Sequence, residues 1–408
     1  MADGPTTGTA RPGDLGGMKM FVRVLLAVEV AALAVWSVVW DSLDFRIYRL
    51  GGGVVTEGTR LYTEQLAEHW YTNSPVFALV CSPLADLPLT VARVGWQFAS
   101  MAALVWACAN VLDLAGRPVT RNTVAALVAA AMLLEPMYHS FFQGQVNLIL
   151  LALVVADVRA VARGRVAGAG IGLAAAMKLT PGIFIVLLLV TGRIRAAAVA
   201  TGTFAVAVAG TWLIAPDASR AYWTGTFRDT SRVGVTYISN QSPFGMLSRM
   251  LGGHPDRVQG WYPVISVVVA VAGLAVAALW ARRGDWLGAT AVTGVTGLLV
   301  SPISWAHHWV WVLPALVLLV RDGRRVAAAC AYVLFVLSPL WWTPHDGTDR
   351  EWGFHWLTTA VANCYLLSGV AFLVYTALEL RRPGRAPEPS RLEPVRDEPA
   401  SRTLAEVS

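Results

Sequence analysis

Apolar and polar residues alternate along this chain in long blocks. The first apolar block, residues 20–40, is about twenty residues long, the length that lets an α-helix cross the hydrocarbon core of a bilayer. Similar blocks, separated by short polar segments, follow until about residue 380. The pattern predicts an all-α polytopic membrane protein with about ten full transmembrane helices and two short or re-entrant ones.

Composition narrows the class of protein further. Hydrophobic residues make up 56% of the chain and charged residues only 14%, which is too apolar for an ordinary soluble protein. The net charge of +6 is small and scattered through short loops, so we expect no nucleic-acid partner. The four cysteines show neither pairing nor metal-ligand spacing, and we interpret them as packing residues.

The two chain ends differ from the apolar body. Residues 1–19 form a polar leader, and no cleavage site follows the first apolar block, so we expect a retained helix rather than a removed signal peptide. Residues 381–408 are rich in Pro, Glu and Arg and show no apolar periodicity. We therefore predict a disordered cytoplasmic leader, one membrane domain over residues 20–380, and a disordered cytoplasmic tail.

Arginines mark one side of the predicted membrane domain, because short loops with excess Lys and Arg face the cytoplasm. The remaining loops then lie outside, including a first loop at residues 41–73 and a long loop at residues 216–262. The segments placed inside are residues 117–121, 159–165, 193–195, 282–283, 321–325 and the tail from residue 381.

Two apolar segments are too short or too interrupted for a simple crossing. Residues 75–88 number about fourteen, and we expect an interfacial or re-entrant piece. Residues 166–191 are interrupted by Lys178 and Pro181. Because proline removes a backbone donor and lysine is costly in hydrocarbon, we predict two half-helices that enter and return, with the break facing protein or water.

Asp44 is the first candidate for chemistry. It follows the first apolar block by four residues, so it lies where the chain leaves hydrocarbon for water. A base at this level can act on a lipid-linked substrate. A solvated interfacial acid gives the same pattern, and Asp41 is a second acid candidate in the same segment.

Amide side chains cluster in two predicted outer segments. Such side chains can hydrogen-bond sugar hydroxyls, but amides that cap a helix or link neighbouring helices look the same in sequence. Both interpretations stay open for Gln143, Gln145, Asn147, Asn240 and Gln241.

Three cationic or titratable residues complete the candidates. His307 and His308 are adjacent at the start of an apolar segment, and adjacent helical side chains point about 100° apart, so a shared metal ion is not expected. They could contact a sugar or a lipid phosphate, or serve as satisfied interfacial histidines. Lys178 is a functional candidate by its position, yet it could instead bind carbonyls freed by Pro181.

Six segments, in chain order, resemble motifs of the glycosyltransferase 87 family of GT-C membrane enzymes. The resemblance runs from about residue 20 to residue 380. The segments are Asp44-Phe-Arg-Ile-Tyr48, Asn73-Ser-Pro75-Val-Phe77, Gln143-Gly-Gln145-Val-Asn147, Met177-Lys178-Leu-Thr-Pro181, Asn240-Gln241-Ser242 and Ser301-Pro302-Ile-Ser304-Trp305-Ala-His307-His308.

The resemblance implies a substrate class and a mechanism. Within the family the chain looks most similar to polyprenol-phosphate-mannose-dependent α-1,2-mannosyltransferases of phosphatidylinositol mannoside synthesis. The implied donor is polyprenyl-monophosphate-mannose, the acceptor is a mannose hydroxyl of a lipid-anchored glycan, and the site faces outward from the plasma membrane. The family's acid falls on Asp44, which would act as the base of an inverting displacement without a metal. His307, His308 and Lys178 would then be candidates for binding the donor phosphate.

Other functions keep part of this pattern. A lipoarabinomannan-branching mannosyltransferase, an arabinofuranosyltransferase or a protein mannosyltransferase would share the architecture and the first-loop acid but use another acceptor or sugar. A lipid-sugar transporter should show corresponding helix interruptions in two repeated halves, whereas this sequence shows one, at Lys178 to Pro181.

Overall fold

The computed structural model describes residues 12–346 and 349–381, and these residues are mostly helical. The first ten helices are α1 (Pro12–Val39), α2 (Leu43–Val54), α3 (Arg60–Thr63), α4 (Pro75–Ala85), α5 (Leu89–Leu114), α6 (Arg121–Met132), α7 (Glu135–Gln143), α8 (Asn147–Ala162), α9 (Ala169–Met177) and α10 (Ile183–Val190). The others are α11 (Ile194–Ile214), α12 (Pro216–Thr224), α13 (Pro243–Met250), α14 (Asp256–Gln259), α15 (Tyr262–Arg282), α16 (Trp286–Val300), α17 (Val312–Arg321), α18 (Arg325–Leu337), α19 (Trp356–Ala362) and α20 (Cys364–Glu379).

Short elements complete the description. The strands β1 (Gln65–Leu66) and β2 (His69–Trp70) form an antiparallel pair in the first loop, with Leu66 opposite His69. The 3-10 helices are Thr180–Gly182, Thr226–Arg228, Thr230–Arg232, Ala306–Trp311, Pro339–Trp342 and Asp349–Glu351.

The all-α membrane prediction is confirmed, but the predicted number of spans is not. Within the described ranges, four helices are long and apolar enough to cross a membrane: Lys19–Val39 of α1, α5, α11 and α15. Two bent pairs, α6 with α7 at 77° and α19 with α20 at 79°, raise this number to six. Five shorter apolar helices remain, and the total of about ten stays a prediction.

The chain ends differ from expectation where the structure describes them. Helix α1 begins at Pro12, so residues 12–19, which the sequence assigned to a disordered leader, are helical. Residues 1–11 and the tail from residue 382 lie outside the described residues.

Helix α4 lies beside α2 rather than crossing to the far side. Arg49 of α2 donates to the carbonyls of Leu84 at 3.1 Å and Ala85 at 2.7 Å, at the end of α4. The next helix, α5, is fastened by Arg93 to backbone carbonyls at the end of α1, including that of Ser37 at 2.6 Å. Helix α4 is therefore fastened to α2, and α5 to the end of α1, while the interfacial placement of residues 75–88 stays a prediction.

Close packing of α2 on α4 depends on a glycine. A Cβ atom on Gly52 would lie 2.6 Å from the carbonyl carbon and oxygen of Cys81, closer than such atoms can approach. Any larger residue would push the two helices apart, and α2 carries Asp44 in its first turn.

The break predicted in residues 166–191 is present. Helix α9 ends at Met177, Lys178 adopts an extended backbone (φ −146°, ψ 125°), and a 3-10 turn with Pro181 leads into α10. Packing against α11 positions the first half, because a Cβ atom on Gly172 would lie 2.2 Å from the carbonyl oxygen of Ala200. Lys178 is thus held at a fixed point between two helical pieces.

The loops assigned to the cytoplasm contact one another. Arg321 forms an ion pair with Asp285 at 2.5 Å, and Arg324 forms one with Glu379 at 2.5 Å. Arg193 lies over the ring of Trp286 at 5.3 Å. These contacts gather the Arg-containing ends of α10, α15, α17 and α20 at one end of the helix bundle.

Candidate active site

Asp44 lies in the first turn of α2, directly after α1, and is half-buried. Tyr48, one turn further along α2 and 2% exposed, donates its hydroxyl to Oε1 of Gln145 at 2.7 Å. Because that oxygen is engaged, the amide nitrogen of Gln145 is free for Asp44, which lies within hydrogen-bonding reach. Tyr48 therefore orients Gln145 toward the carboxylate.

The environment makes Asp44 a stronger base than an exposed aspartate. Burial raises the pKa of its carboxyl group above the ordinary value. The hydrogen bond from Gln145 and the nearby Lys178 and His139 oppose this rise without cancelling it. A half-buried carboxylate with a raised pKa accepts a proton more readily than an exposed one.

Lys178 lies at the centre of the polar contacts. Its Nζ atom donates to Oδ1 of Asn147 at 3.1 Å and to Nε2 of His308 at 2.8 Å. It also attracts Asp44 electrostatically. Since an ammonium group has donors only, His308 must accept at Nε2 and carry its proton on Nδ1. The lysine links the acid of the first loop to the histidine segment.

His307 is buried without a hydrogen-bonding partner. Its side chain is 6% exposed, and within the part of the chain that the structure describes neither ring nitrogen has a partner. The ring lies between those of His308, at 4.8 Å, and His139, at 5.2 Å. Asn147 holds the backbone here by donating to the His307 carbonyl at 2.8 Å. A buried polar ring of this kind is suited to bind a ligand or water.

Sequence reasoning missed Glu135 and did not assign a role to His139. Nδ1 of His139 lies 2.6 Å from Oε1 of Glu135, a residue of 0% exposure. Gln143, at the end of the same helix, lies with Nε2 3.5 Å from Nε2 of His139 and is half-buried. The sequence did contain a signal for this group: Glu135, His139 and Gln143 follow one another at i, i+4 spacing, and Glu135 is an acid in an otherwise apolar stretch.

Asn240 and Gln241 lie elsewhere and contact backbone groups. Nδ2 of Asn240 donates to the carbonyls of Val235 at 2.8 Å and Pro302 at 3.1 Å. Nε2 of Gln241 donates to the carbonyls of Ile238 and Ala362. Both side chains are 0% exposed, so the structure places them as links between loops.

Asp41 is separate from this cluster as well. Its carboxylate is exposed and pairs with Arg46 at 2.8 Å. It faces solvent beside α2, whereas Asp44 faces Gln145 and Lys178.

A narrow cleft begins at the polar cluster and continues between apolar side chains. Lys178, Asn147 and His308 line its polar end. Leu150, Phe184 and Trp311 are among the residues that line the rest. The site therefore joins a carboxylate, a lysine and histidines to a narrow apolar cleft.

A helical membrane fold with a half-buried carboxylate, a lysine among histidines and an apolar cleft is the combination expected of a membrane glycosyltransferase that uses lipid-linked sugars. The family model of Glycosyltransferase family 87 matches residues 71–302, more than half of the 408 residues, and the chain belongs to this family. The matched range includes Gln145 and Lys178, whereas Asp44 and His308 lie just outside it.

Named relatives from mycobacteria are similar over most of the chain. A polyprenol-phosphate-mannose-dependent alpha-(1-2)-phosphatidylinositol mannoside mannosyltransferase of Mycobacterium tuberculosis is 30% identical, covering 89% of this chain and 92% of the relative. A protein of Mycolicibacterium smegmatis with the same name is 33% identical over 74% of this chain and 75% of its own. A pentamannoside mannosyltransferase of M. tuberculosis is 32% identical, covering 78% of each chain. The family resemblance inferred from the sequence is thereby confirmed.

Proposed function

We propose that this protein transfers mannose from polyprenyl-monophosphate-mannose to a mannose hydroxyl of a phosphatidylinositol mannoside, forming an α-(1→2) linkage. One observation carries the proposal: Lys178 interacts with both Asp44 and His308, which are far apart in sequence, and with His308 it lines an apolar cleft. The names of the relatives supply the donor and acceptor classes.

Asp44 is the base in this proposal. As the acceptor hydroxyl attacks the anomeric carbon, Asp44 takes the hydroxyl proton, and the bond from that carbon to the phosphate oxygen breaks. A β-linked donor and an α-linked product require inversion, which needs one base and no covalent glycosyl-enzyme intermediate. The raised pKa of Asp44 supports this role, because a stronger base accepts the proton more readily.

Lys178, His308 and His307 stabilise the leaving phosphate. The negative charge that develops on the phosphate is favoured by the Lys178 ammonium, which can exchange its contact with His308 for a phosphate oxygen. A ring N–H of His307, which is buried without a partner among the described residues, supplies a further donor. With charge stabilised in this way, we expect transfer without a metal ion and unchanged activity in a chelator.

The polyprenyl chain occupies the cleft lined by Leu150, Phe184 and Trp311. An isoprenoid tail placed there would leave its phosphate beside Lys178. Burial of apolar groups contributes about 25 cal/mol per Å² of area removed from water, so the tail would add to donor affinity without acting at the reacting atoms.

The site faces outward from the plasma membrane in our proposal. Support comes from the loops: the Arg-containing segments contact one another at one end of the bundle, as Arg321 does with Asp285, and the motifs around Asp44 and His308 meet in a separate cluster. To test this, single cysteines would replace exposed Glu64 and exposed Arg195. We expect a membrane-impermeant maleimide on intact cells to label position 64 and not position 195, and the opposite result would reverse the orientation.

The activity is tested by transfer of radiolabelled mannose from polyprenyl-phosphate-mannose to phosphatidylinositol mannosides by the reconstituted protein. We expect an α-mannosidase-sensitive glycolipid. Transfer only from a polyprenyl-phosphate-arabinose donor, or only to lipoarabinomannan, would replace the proposal by another lipid-linked sugar transferase. Movement of the donor across the membrane without transfer would indicate a transporter.

A further inference from the structure

A buried carboxylate next to the site is bound by three different elements. Glu135, 0% exposed, accepts from Nδ1 of His139 at 2.6 Å, from Nε1 of Trp341 at 3.2 Å and from the hydroxyl of Tyr365 at 3.1 Å. These donors come from α7, from the 3-10 helix Pro339–Trp342 and from α20. Burying a carboxylate is costly unless it is fully hydrogen-bonded, and Glu135 satisfies that condition.

The contact with Glu135 fixes the state of the His139 ring. Because Nδ1 donates to a carboxylate, the proton lies on Nδ1, and Nε2 is directed away from Glu135. The side chain is 15% exposed, and its ring lies 5.2 Å from that of His307 and close enough to Asp44 for an electrostatic interaction. Nε2 lies 3.5 Å from the amide nitrogen of Gln143, a long contact that a sugar hydroxyl can replace, and the proposed mechanism leaves it unused.

An aromatic surface continues from this histidine. The ring of Trp341 lies 5.6 Å from His139 and 6.2 Å from Tyr237, which is 39% exposed. Trp342 follows and is 67% exposed. Rings of this type offer broad apolar faces beside polar N–H and O–H groups, which suits the alternating C–H and hydroxyl groups of a sugar.

We propose that Glu135 is a positioning residue that presents Nε2 of His139 and the indole of Trp341 to the acceptor mannose. The inference rests on the proposed function. The acceptor is favoured over the donor because Lys178, His307 and His308 already serve the donor phosphate. His139, whose ring contacts that of His307, also interacts electrostatically with Asp44, where the attacking hydroxyl must be.

Acceptor and donor kinetics test the assignment in full-length protein reconstituted in nanodiscs. We expect His139→Ala to raise the KM for a phosphatidylinositol mannoside at least about tenfold, with the donor KM within about twofold of wild type. His139→Gln, whose amide oxygen can accept a hydrogen bond near the position of Nε2, should recover most of this loss. Glu135→Gln should also raise the acceptor KM, by a smaller factor. An equal rise in both KM values, or no change in either, would overturn the proposal.

A control separates this role from a purely structural one. Tyr365→Phe removes one donor to Glu135 and leaves His139 untouched, so we expect the acceptor KM to change by less than about threefold even if the thermal unfolding midpoint falls. A rise as large as that of His139→Ala would mean that loosening the fold accounts for both effects.

Binding without turnover makes the inference independent of the transfer assay. Phosphatidylinositol mannoside would be titrated into nanodiscs holding Asp44→Asn or Asp44→Asn/His139→Ala. We expect at least about tenfold weaker binding by the double variant. Equal binding by the two proteins would contradict the role of His139, whereas absent mannose transfer by wild type would count against the proposed function.

Discussion

Two polar clusters of this protein both contain asparagine and glutamine side chains but differ in the partners of those side chains. In the reaction cluster, the side chains contact one another and a cleft; its members are Asp44, Gln145, Asn147, Lys178 and His308. In the loop clamp, the side chains contact mostly backbone groups; its members are Asn240, Gln241, Arg249, Ser304 and Asn363. The sequence made the amides of both clusters candidates for sugar binding, with capping or linking of helices as the alternative: Gln145 and Asn147 in the first cluster, Asn240 and Gln241 in the second.

The loop clamp has its hydrogen bonds fixed by the fold. Arg249, 2% exposed, donates to the carbonyls of Tyr237 and Asn240 at 3.1 Å each and to the side chain of Asn363. Asn240 accepts from the backbone of Ser304 at 3.0 Å. A substrate could replace none of these partners without unfolding the loops, so the clamp stabilises structure.

The reaction cluster can change partners without such a cost. Lys178 contacts two side chains, and His307 beside it has no partner among the described residues. A phosphate or a hydroxyl can replace a side-chain contact while the backbone stays in place. The lesson is that the partner of a polar side chain, rather than its type, separates binding from support.

The largest expected effect is that of Asp44→Asn. Loss of the base should lower kcat by about 10² to 10⁴ while the protein remains folded, because general base catalysis contributes that much. Transfer of labelled mannose at matched protein level measures it. Asp41→Asn is the matched control: its partner Arg46 is exposed, and we expect activity within about twofold of wild type. Loss of activity with Asp41→Asn instead would move the base to that residue.

Lys178→Gln should have the next largest effect. Removing the ammonium group takes away a charge that favours the leaving phosphate, and we expect kcat to fall by about 10² to 10³. Single-turnover transfer with bound donor measures the chemical step directly. The chain offers a matched control in its other lysine: Lys19→Gln, at the exposed start of the α1 span, should leave the rate unchanged. An unchanged rate with Lys178→Gln would remove this residue from the mechanism.

The same substitution in each cluster should separate activity from stability. Gln145→Leu should lower kcat about tenfold or more, because a hydrogen bond to a charged group is lost. It leaves one buried group, the Tyr48 hydroxyl, without its partner and should therefore destabilise the fold less than Gln241→Leu. Gln241→Leu leaves the backbone groups of Ile238, Ala362 and Tyr365 without partners and should destabilise the fold by about 1–3 kcal/mol. Transfer per folded molecule and thermal unfolding in detergent distinguish the two. If transfer per folded molecule fell equally in both variants, the proposed difference between the two clusters would be wrong.

The smallest expected effect is a shift of the pH profile. Asp44 must be ionised to accept a proton, so activity should fall as pH decreases through its pKa. Since burial raises that pKa, the fall should occur above the value of about 3.9 for an ordinary aspartate. Gln145→Leu removes a hydrogen bond that lowers the pKa and should move the fall to higher pH still. The dependence of kcat/KM on pH in wild type and in Gln145→Leu measures this shift. An identical loss of activity at acid pH in the two proteins would contradict the assignment of Asp44.

The sequence correctly predicted those elements whose structure is determined by the local chemistry of the chain. The all-helical membrane fold follows from apolar blocks, and the break at Lys178 follows from a lysine and a proline in an apolar stretch. The number of spans was harder to predict. The bend of 77° between α6 and α7 coincides with Pro136 in the first turn of α7, but hydrophobic periodicity does not give the angle.

Within the site, the sequence identified the right residue types but could not supply their partners. Gln145 and Gln241 are both buried glutamines in polar motifs, and only the folded chain shows that one reaches Asp44 while the other contacts the carbonyl of Ala362. Glu135 was missed because its partners Trp341 and Tyr365 are more than two hundred residues away.

Ser74 links the short helix α4 to the segment that carries Lys178. Its hydroxyl binds the carbonyls of Ala176 and Met177, which immediately precede Lys178, while α4 packs on the helix that carries Asp44. The loop with the base is therefore fastened to the segment with the cation. If a lipid entering the cleft pushes that loop, base and cation move as one body, and the distance between proton acceptor and leaving group is kept.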